Sequence, residues 1–157
     1  MQLTVGISDM KTSKNPKDVL TTHSLGSCLG LAVYDPVVRV GGLIHCMLPS
    51  VGENKKGPNK PFMYVSTGVP IMIREMYALG ATKPNLIFKA AGCGQMMNVM
   101  NHFNIGARNF ETLMKLLSKN GIRLAAKDVG ESKPRTVHLN LATGKVTINS
   151  RNEVWEL

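Results

Sequence analysis

The segment THSLGSCLGLAVYDPVVRVGGLIHCML, residues 22–48, decides how this chain folds. Leu29–Tyr34 is a short run of apolar, β-branched and aromatic residues, and Arg39–Leu48 is a second. Between them, Asp35-Pro36 marks a turn: proline fixes φ and an aspartate carboxylate bonds the backbone two residues on. The segment therefore reads as a β-hairpin. A loop centred on Pro36-Val37 sets Tyr34 opposite Arg39 and Cys28 opposite His45. Directly opposed residues of an antiparallel pair have Cβ atoms about 5 Å apart on one face. A thiol and an imidazole then meet at the open end of the hairpin, as a nucleophile and its base do. A bulge or a different loop length would shift that register.

Working outward, Gln2–Ser8 alternates as a first strand, Lys11–Lys17 is a polar connection, and Val19–Thr22 is a short strand leading into His23–Cys28. Gly26 allows a sharp approach to Cys28. Pro49–Pro61 is turn-rich and basic, a lid or a binding loop. Ser66 or Thr67 caps a helix to about Leu79, with Gly80 as its stop and Met72, Ile73, Met76, Tyr77 and Leu79 on its apolar face. Pro84–Ala91 is a strand entering Gly92-Cys93-Gly94. Gln95–His102 carries no readable period. A second helix follows Asn104 and ends at Asn120-Gly121, with Phe110, Leu113, Met114, Leu116 and Leu117 inward. Ile122–Val129 is a strand, and Thr136–Leu141 with Lys145–Ser150 makes a hairpin. Strand-rich ends around two helices give an α+β class with helices covering sheets. One domain over 1–157 is the simplest organisation at this length.

Composition narrows the function. The net charge is +9, which attracts acidic partners. The cations are scattered, with Lys55, Lys56 and Lys60 the densest group, and aromatics make up only 5%. That is too few for a base-stacking platform, and no nucleic-acid motif is present, so an acidic protein is the expected partner. No apolar run reaches the roughly 20 residues of a membrane span, and the N-terminus lacks a signal-peptide pattern, so neither insertion nor export is expected. Three cysteines without a CxxC argue against a disulfide framework and for a reducing, cytoplasmic setting.

Strand alternation separates the cysteines. If His45 faces Cys28, Cys46 points away with Ile44 and Leu48 into the core. Cys93, between two glycines, reads as a packed thiol. Cys28 sits at a loop-to-strand junction where the N–H groups of Ser27 and Cys28 can face a developing oxyanion. Its thiolate needs an imidazolium nearby, which His45 would supply. Thr21 or Thr22, or a carbonyl near them, would hold the ring. His23, His102 and His138 have no comparable partner. Zinc on Cys28, His45 and Cys93 is the rival use, although three ligands without paired spacing signal it weakly.

Thr22-x-x-Leu25-Gly26-Ser27-Cys28, Asp35-Pro36, Gly41-Gly42, His45-x-Met47-Leu48-Pro49 and Asn104-Ile105-Gly106-Ala107-Arg108-Asn109 together resemble the CheD family of chemoreceptor glutamine deamidases. The resemblance covers nearly the whole chain. It implies a mixed-sheet sandwich with flanking helices and a catalytic hairpin similar to those of toxin deamidases and, distantly, papain-like hydrolases. It implies Cys28 as nucleophile, His45 as acid and base and Thr22 as the group orienting His45, with no cofactor and no metal. Ser27, Arg108, Asn109 and Arg135 are the expected substrate contacts. The implied reaction turns glutamine side chains into glutamate on the cytoplasmic helices of methyl-accepting receptors, with methyl-ester hydrolysis as a side activity. A CheC-type phosphatase is an implied partner. Cys93 stands where the family pattern expects a smaller residue, and Glu131–Arg135 is less glycine-rich than that pattern. The rivals are a peptide-cleaving cysteine hydrolase and a non-enzymatic chemotaxis adaptor.

Overall fold

A computed structural model describes residues 1–51, 60–96 and 104–157. Its strands are β1 Gln2–Val5, β2 Asp9–Ser13, β3 Val19–Leu25, β4 Leu29–Asp35, β5 Val40–Cys46, β6 Ile87–Gly92, β7 Leu124–Val129, β8 Arg135–Asn140, β9 Val146–Ser150 and β10 Glu153–Glu156. The helices are α1 Val65–Ala78 and α2 Ile105–Lys119. Among the described residues the strands form two five-stranded sheets, ordered β1-β3-β8-β9-β10 and β2-β5-β4-β6-β7. Both are mixed, because β1 runs parallel to β3 and β6 parallel to β7. The α+β class expected from the sequence is the class observed.

The layers follow from side-chain alternation. Leu29, Leu31, Val33, Ile44 and Cys46 of the second sheet pack with Val69, Met72 and Met76 of α1 and Leu113 and Leu117 of α2. The opposite face of that sheet, with Ala32, Tyr34 and Leu43, packs on Leu20, Val137, Leu139 and Ile148 of the first sheet. Every residue of β4 and β5 is buried. The second sheet is thus covered on both faces, which is why its hairpin reads as nearly continuous apolar sequence. A Cβ on Gly42 would lie 3.0 Å from the sulfurs of Met72 and Met76, so a glycine there lets α1 approach.

The hairpin forms with a different register from the one expected. Asp35 pairs with Val40 and Leu29 with Cys46, leaving Pro36–Arg39 as the loop. The Asp35 carboxylate accepts the N–H groups of Val37 at 2.9 Å and Val38 at 3.3 Å, and Arg39 closes the turn at φ 55°. That longer loop sets Gly30 opposite His45 and brings Cys28, just ahead of β4, level with Met47. Tyr34 faces Gly41, not Arg39. The shift is two residues, so Cys28 and His45 still share a face.

Other differences have local causes. The expected first strand, Gln2–Ser8, ends at Val5 as β1, and a further strand, β2, begins at Asp9 in the other sheet and takes in the start of the expected polar connection, with Ser8 at φ 58° in the turn that switches sheets. β2 is an edge strand with an exposed Asp9–Lys11 ion pair at 3.0 Å, a polar edge that reads as connection. α1 begins at Val65, and Thr67 Oγ1 donates to the Pro61 carbonyl instead of capping the helix. Met114 is 37% exposed; the inward stripe of α2 runs through Gly106, Asn109, Leu113 and Leu117. The C-terminal β10 extends the β8–β9 hairpin beyond the expected strands. No helix among the described residues is long and apolar enough to cross a membrane. Lys55, Lys56, His102 and most of the 49–61 loop lie outside the described residues.

Candidate active site

The turn between β1 and β2 brings both sheets to His45. The Ser8 N–H donates to the His45 carbonyl at 2.9 Å. From the facing sheet, Thr22 on β3 reaches the ring, with Oγ1 2.7 Å from His45 Nδ1. The same hydroxyl donates to the Val5 carbonyl at 2.8 Å. A carbonyl can only accept, so the single hydroxyl proton of Thr22 is spent on Val5. Towards His45 the hydroxyl must therefore accept, and Nδ1 carries the hydrogen. In the neutral ring Nε2 is then a bare lone pair. It is buried and has no partner among the described residues. Thr21, the other candidate, instead contacts His138 Nδ1 at 2.8 Å. His138 thus has a partner that its sequence position did not reveal.

Cys28 is half-buried on a loop whose carbonyls are all tied down. β3 bulges between Thr22 and Leu25, with Ser24 at φ 58°, and turns the chain into Gly26–Cys28. The Gly26 carbonyl accepts from Gly94 N–H at 2.8 Å and the Cys28 carbonyl from Cys93 N–H at 2.7 Å. The Ser27 carbonyl accepts from Asn109 Nδ2 at 3.0 Å. Among the described residues the N–H groups of Ser27 and Cys28 have no acceptor. Gly92 permits this packing: it sits at φ 90°, and a Cβ there would fall 2.3 Å from the Cys28 carbonyl oxygen.

Electrostatics differ from the expected thiolate–imidazolium pair. Burial pushes the Cys28 thiol up and draws His45 down to about 4. Among the described residues no carboxylate is bonded to the imidazole; its third group is a neutral hydroxyl. The two groups rest uncharged, and the thiol makes no hydrogen bond to Nε2 in this resting arrangement. In the observed register they are diagonal neighbours, with backbone positions about 7–8 Å apart.

Cys46 and Cys93 are buried in the helix-side core, and burial raises the Cys93 thiol to about 12. Cys93 sits at φ 52°, a left-handed conformation that explains why a smaller residue would be expected there. No group of three or more His, Cys, Asp or Glu among the described residues is arranged to hold a metal.

Two of the expected substrate contacts lie inside the protein. Asn109 is fully buried, and Arg135 is 1% exposed. Arg135 bonds Asp128 at 2.9 Å and the carbonyls of Gly130 at 2.8 Å and Gly92 at 3.3 Å; Trp155 Nε1 holds the other oxygen of Asp128 at 2.6 Å. The guanidinium thus braces the loop that carries Cys93 and Gly94. Arg135→Met is expected to cost about 3 kcal/mol or more, since a buried pair losing one partner leaves an uncompensated group. Urea unfolding measures it, and a loss below about 1 kcal/mol would show that Arg135 adds little to the brace. Ser27 is half-buried and Arg108 exposed, both within reach of a ligand.

Comparison with known proteins decides the family. A family model described as CheD chemotactic sensory transduction matches residues 47–150. The chain is 41% identical over 147 residues to "Probable chemoreceptor glutamine deamidase CheD 1" of Syntrophus aciditrophicus, covering 93% of this chain and 92% of that one. The chain belongs to the CheD family. A CheD of Solibacter usitatus is 39% identical over 157 residues, covering 99% of this chain and 93% of its own. One from Pyrococcus abyssi is 40% identical over 147 residues, covering 92% of this chain and 89% of its own. Both bear the same deamidase name. The CheD motif Asn104–Asn109 now has a physical reading. Gly106 seats the first turn of α2 on the Gly94 carbonyl, where a Cβ would come within 2.2 Å, and Asn109 lies one turn further along the same face.

Proposed function

We propose that this protein is a cytoplasmic protein-glutamine deamidase acting on chemoreceptor helices, with Cys28, His45 and Thr22 as its catalytic set. The observation that carries the mechanism is the Thr22 hydroxyl, whose proton is committed to Val5 and whose oxygen receives His45 Nδ1–H. Nε2 is thereby left basic on the face that Cys28 shares. The names of the relatives supply the substrate class.

Because both groups rest neutral, His45 acts as a general base from the start. As Sγ of Cys28 attacks the carboxamide carbon, Nε2 takes the thiol proton, and the N–H groups of Ser27 and Cys28 receive the oxyanion. Substrate binding narrows the diagonal gap, as catalytic contacts commonly tighten in the bound complex. The imidazolium gives its proton to the departing amine, releasing ammonia and leaving a thioester. Nε2 then deprotonates water, which attacks the thioester and yields glutamate and the free thiol. A glutamate methyl ester would pass through the same acyl-enzyme, with methanol leaving in place of ammonia, so ester hydrolysis is a second activity of this site. A CheC-type phosphatase is a further partner under this reading.

The test is mass spectrometry of a cognate receptor fragment after incubation. Glutamine side chains should gain about one dalton with release of ammonia and an intact peptide chain. Chain cleavage would point to a protease, and no change to an adaptor. The charge makes a second prediction. With +9 on the enzyme and an acidic receptor surface, deamidation should slow at least about threefold between roughly 0.05 and 0.5 M salt. A flat salt profile removes steering from the account.

A further inference from the structure

We propose that Asn109 is a positioning residue that sets the direction of the Cys28 N–H, and with it the oxyanion site. The inference rests on the reading of Cys28 as nucleophile. A peptide unit is planar and trans, so its C=O and the N–H of the next residue point in opposite directions. Whatever holds the Ser27 carbonyl therefore aims the Cys28 N–H. That holder is Asn109 Nδ2, which gives one hydrogen to Ser27 O at 3.0 Å and the other to Met47 O at 3.1 Å. One amide nitrogen thus ties the nucleophile loop to the end of the strand that carries His45. The neighbouring peptide plane is held by Gly94 N–H on Gly26 O, which aims the Ser27 N–H the same way.

Without Asn109 the Ser27–Cys28 peptide loses its only tether at that oxygen among the described residues. Rotation of the plane would then turn a carbonyl toward the oxyanion and its N–H away. Asn109 Oδ1 is buried and has no partner among the described residues, a poor choice for a side chain whose only duty is stability. The amide orientation is not exchangeable, because Oδ1 cannot donate to two carbonyls. Asn109 is fully buried and touches the reaction only through backbone.

Asn109→Leu, of similar size and with no hydrogen to give, is the direct test. The expected loss in kcat for receptor-fragment deamidation is about 10²-fold or more, the scale of one lost oxyanion donor. KM should stay within about threefold, since ground-state binding is untouched. Two further readouts separate orientation from collapse. A receptor peptide bearing a γ-aldehyde in place of the target carboxamide adds the Cys28 thiol across its C=O. The S–C bond forms, and the thiol proton ends on the hemithioacetal oxygen, which occupies the oxyanion position. Its affinity should fall with kcat. Alkylation of Cys28 by iodoacetamide, which displaces iodide and needs no oxyanion donor, should keep its rate to within about threefold. An unchanged kcat, or alkylation falling as far as kcat, overturns the proposal. If Asn109→Leu does not fold, Asn109→Ala carries the same readouts. A wild-type protein that neither deamidates nor captures the aldehyde would overturn the reading of Cys28 itself.

Discussion

Cys28→Ala should lower deamidation of a receptor fragment by at least about 10³-fold, because without the sulfur no thioester forms. The fold should survive. Cys28 is half-buried, and its backbone makes the loop's contacts: its carbonyl binds Cys93 N–H, and its flanking carbonyls bind Gly94 and Asn109. Removing one sulfur leaves all three tethers in place, so the urea midpoint should move little. Receptor binding should also persist, since the substrate surface is unchanged. Deamidation that survives the substitution would end the assignment, because neither Cys46 nor Cys93 is exposed enough to replace it.

The second large effect belongs to His45→Asn. It should cost about 10³-fold in rate by removing the base that takes the thiol proton. Asparagine still offers an N–H near the position of Nδ1, so the bond to Thr22 is kept and the loss reports on Nε2. The same variant has a signature in stability. His45 titrates near 6.5 when unfolded and at about 4 when buried, so between those values the unfolded chain binds the proton more readily. The contribution of neutral His45 is therefore complete above pH 6.5 and disappears as pH falls toward 4. Its size is at most about 3 kcal/mol. Wild-type stability should fall more steeply than that of His45→Asn across this window. Parallel slopes in urea unfolding would contradict the buried, uncharged ring.

The hairpin was legible because β4 and β5 are covered on both faces, so burial wrote itself into Leu29–Tyr34 as unbroken apolar sequence. The shared face of Cys28 and His45 was legible too, because face depends only on parity. Their opposition was not, since it depended on whether the Asp35 turn spans two residues or four, and the Arg39 conformation settled that. β2 hid behind Asp9 and Lys11 because an exposed edge selects charge. Thr22 and Thr21 alternate on one strand and so turn to different partners: Thr22 to His45 of the facing sheet, Thr21 to His138 on the neighbouring strand of its own sheet. Asn109 and Arg135 read as ligand-binding side chains because amides and guanidiniums are usually exposed. Here the carbonyls of glycine-rich loops drew both inward, and no local pattern records such a demand. The resting protonation was missed for a related reason, because depth of burial is not written in spacing.

The Thr22–His45 contact joins two separately hydrogen-bonded layers across the aliphatic seam around Leu43 and Leu139, at a distance along the chain from their other polar ties, Tyr34 to the Leu141 carbonyl and Arg135 and Trp155 to Asp128. A sliding displacement of one layer by a fraction of an ångström would leave each ladder whole yet misdirect the imidazole. Warming should therefore extinguish turnover several degrees before the protein loses its strands. Substitutions in that aliphatic seam, remote from Cys28, should act as catalytic lesions in a molecule that still melts as one piece.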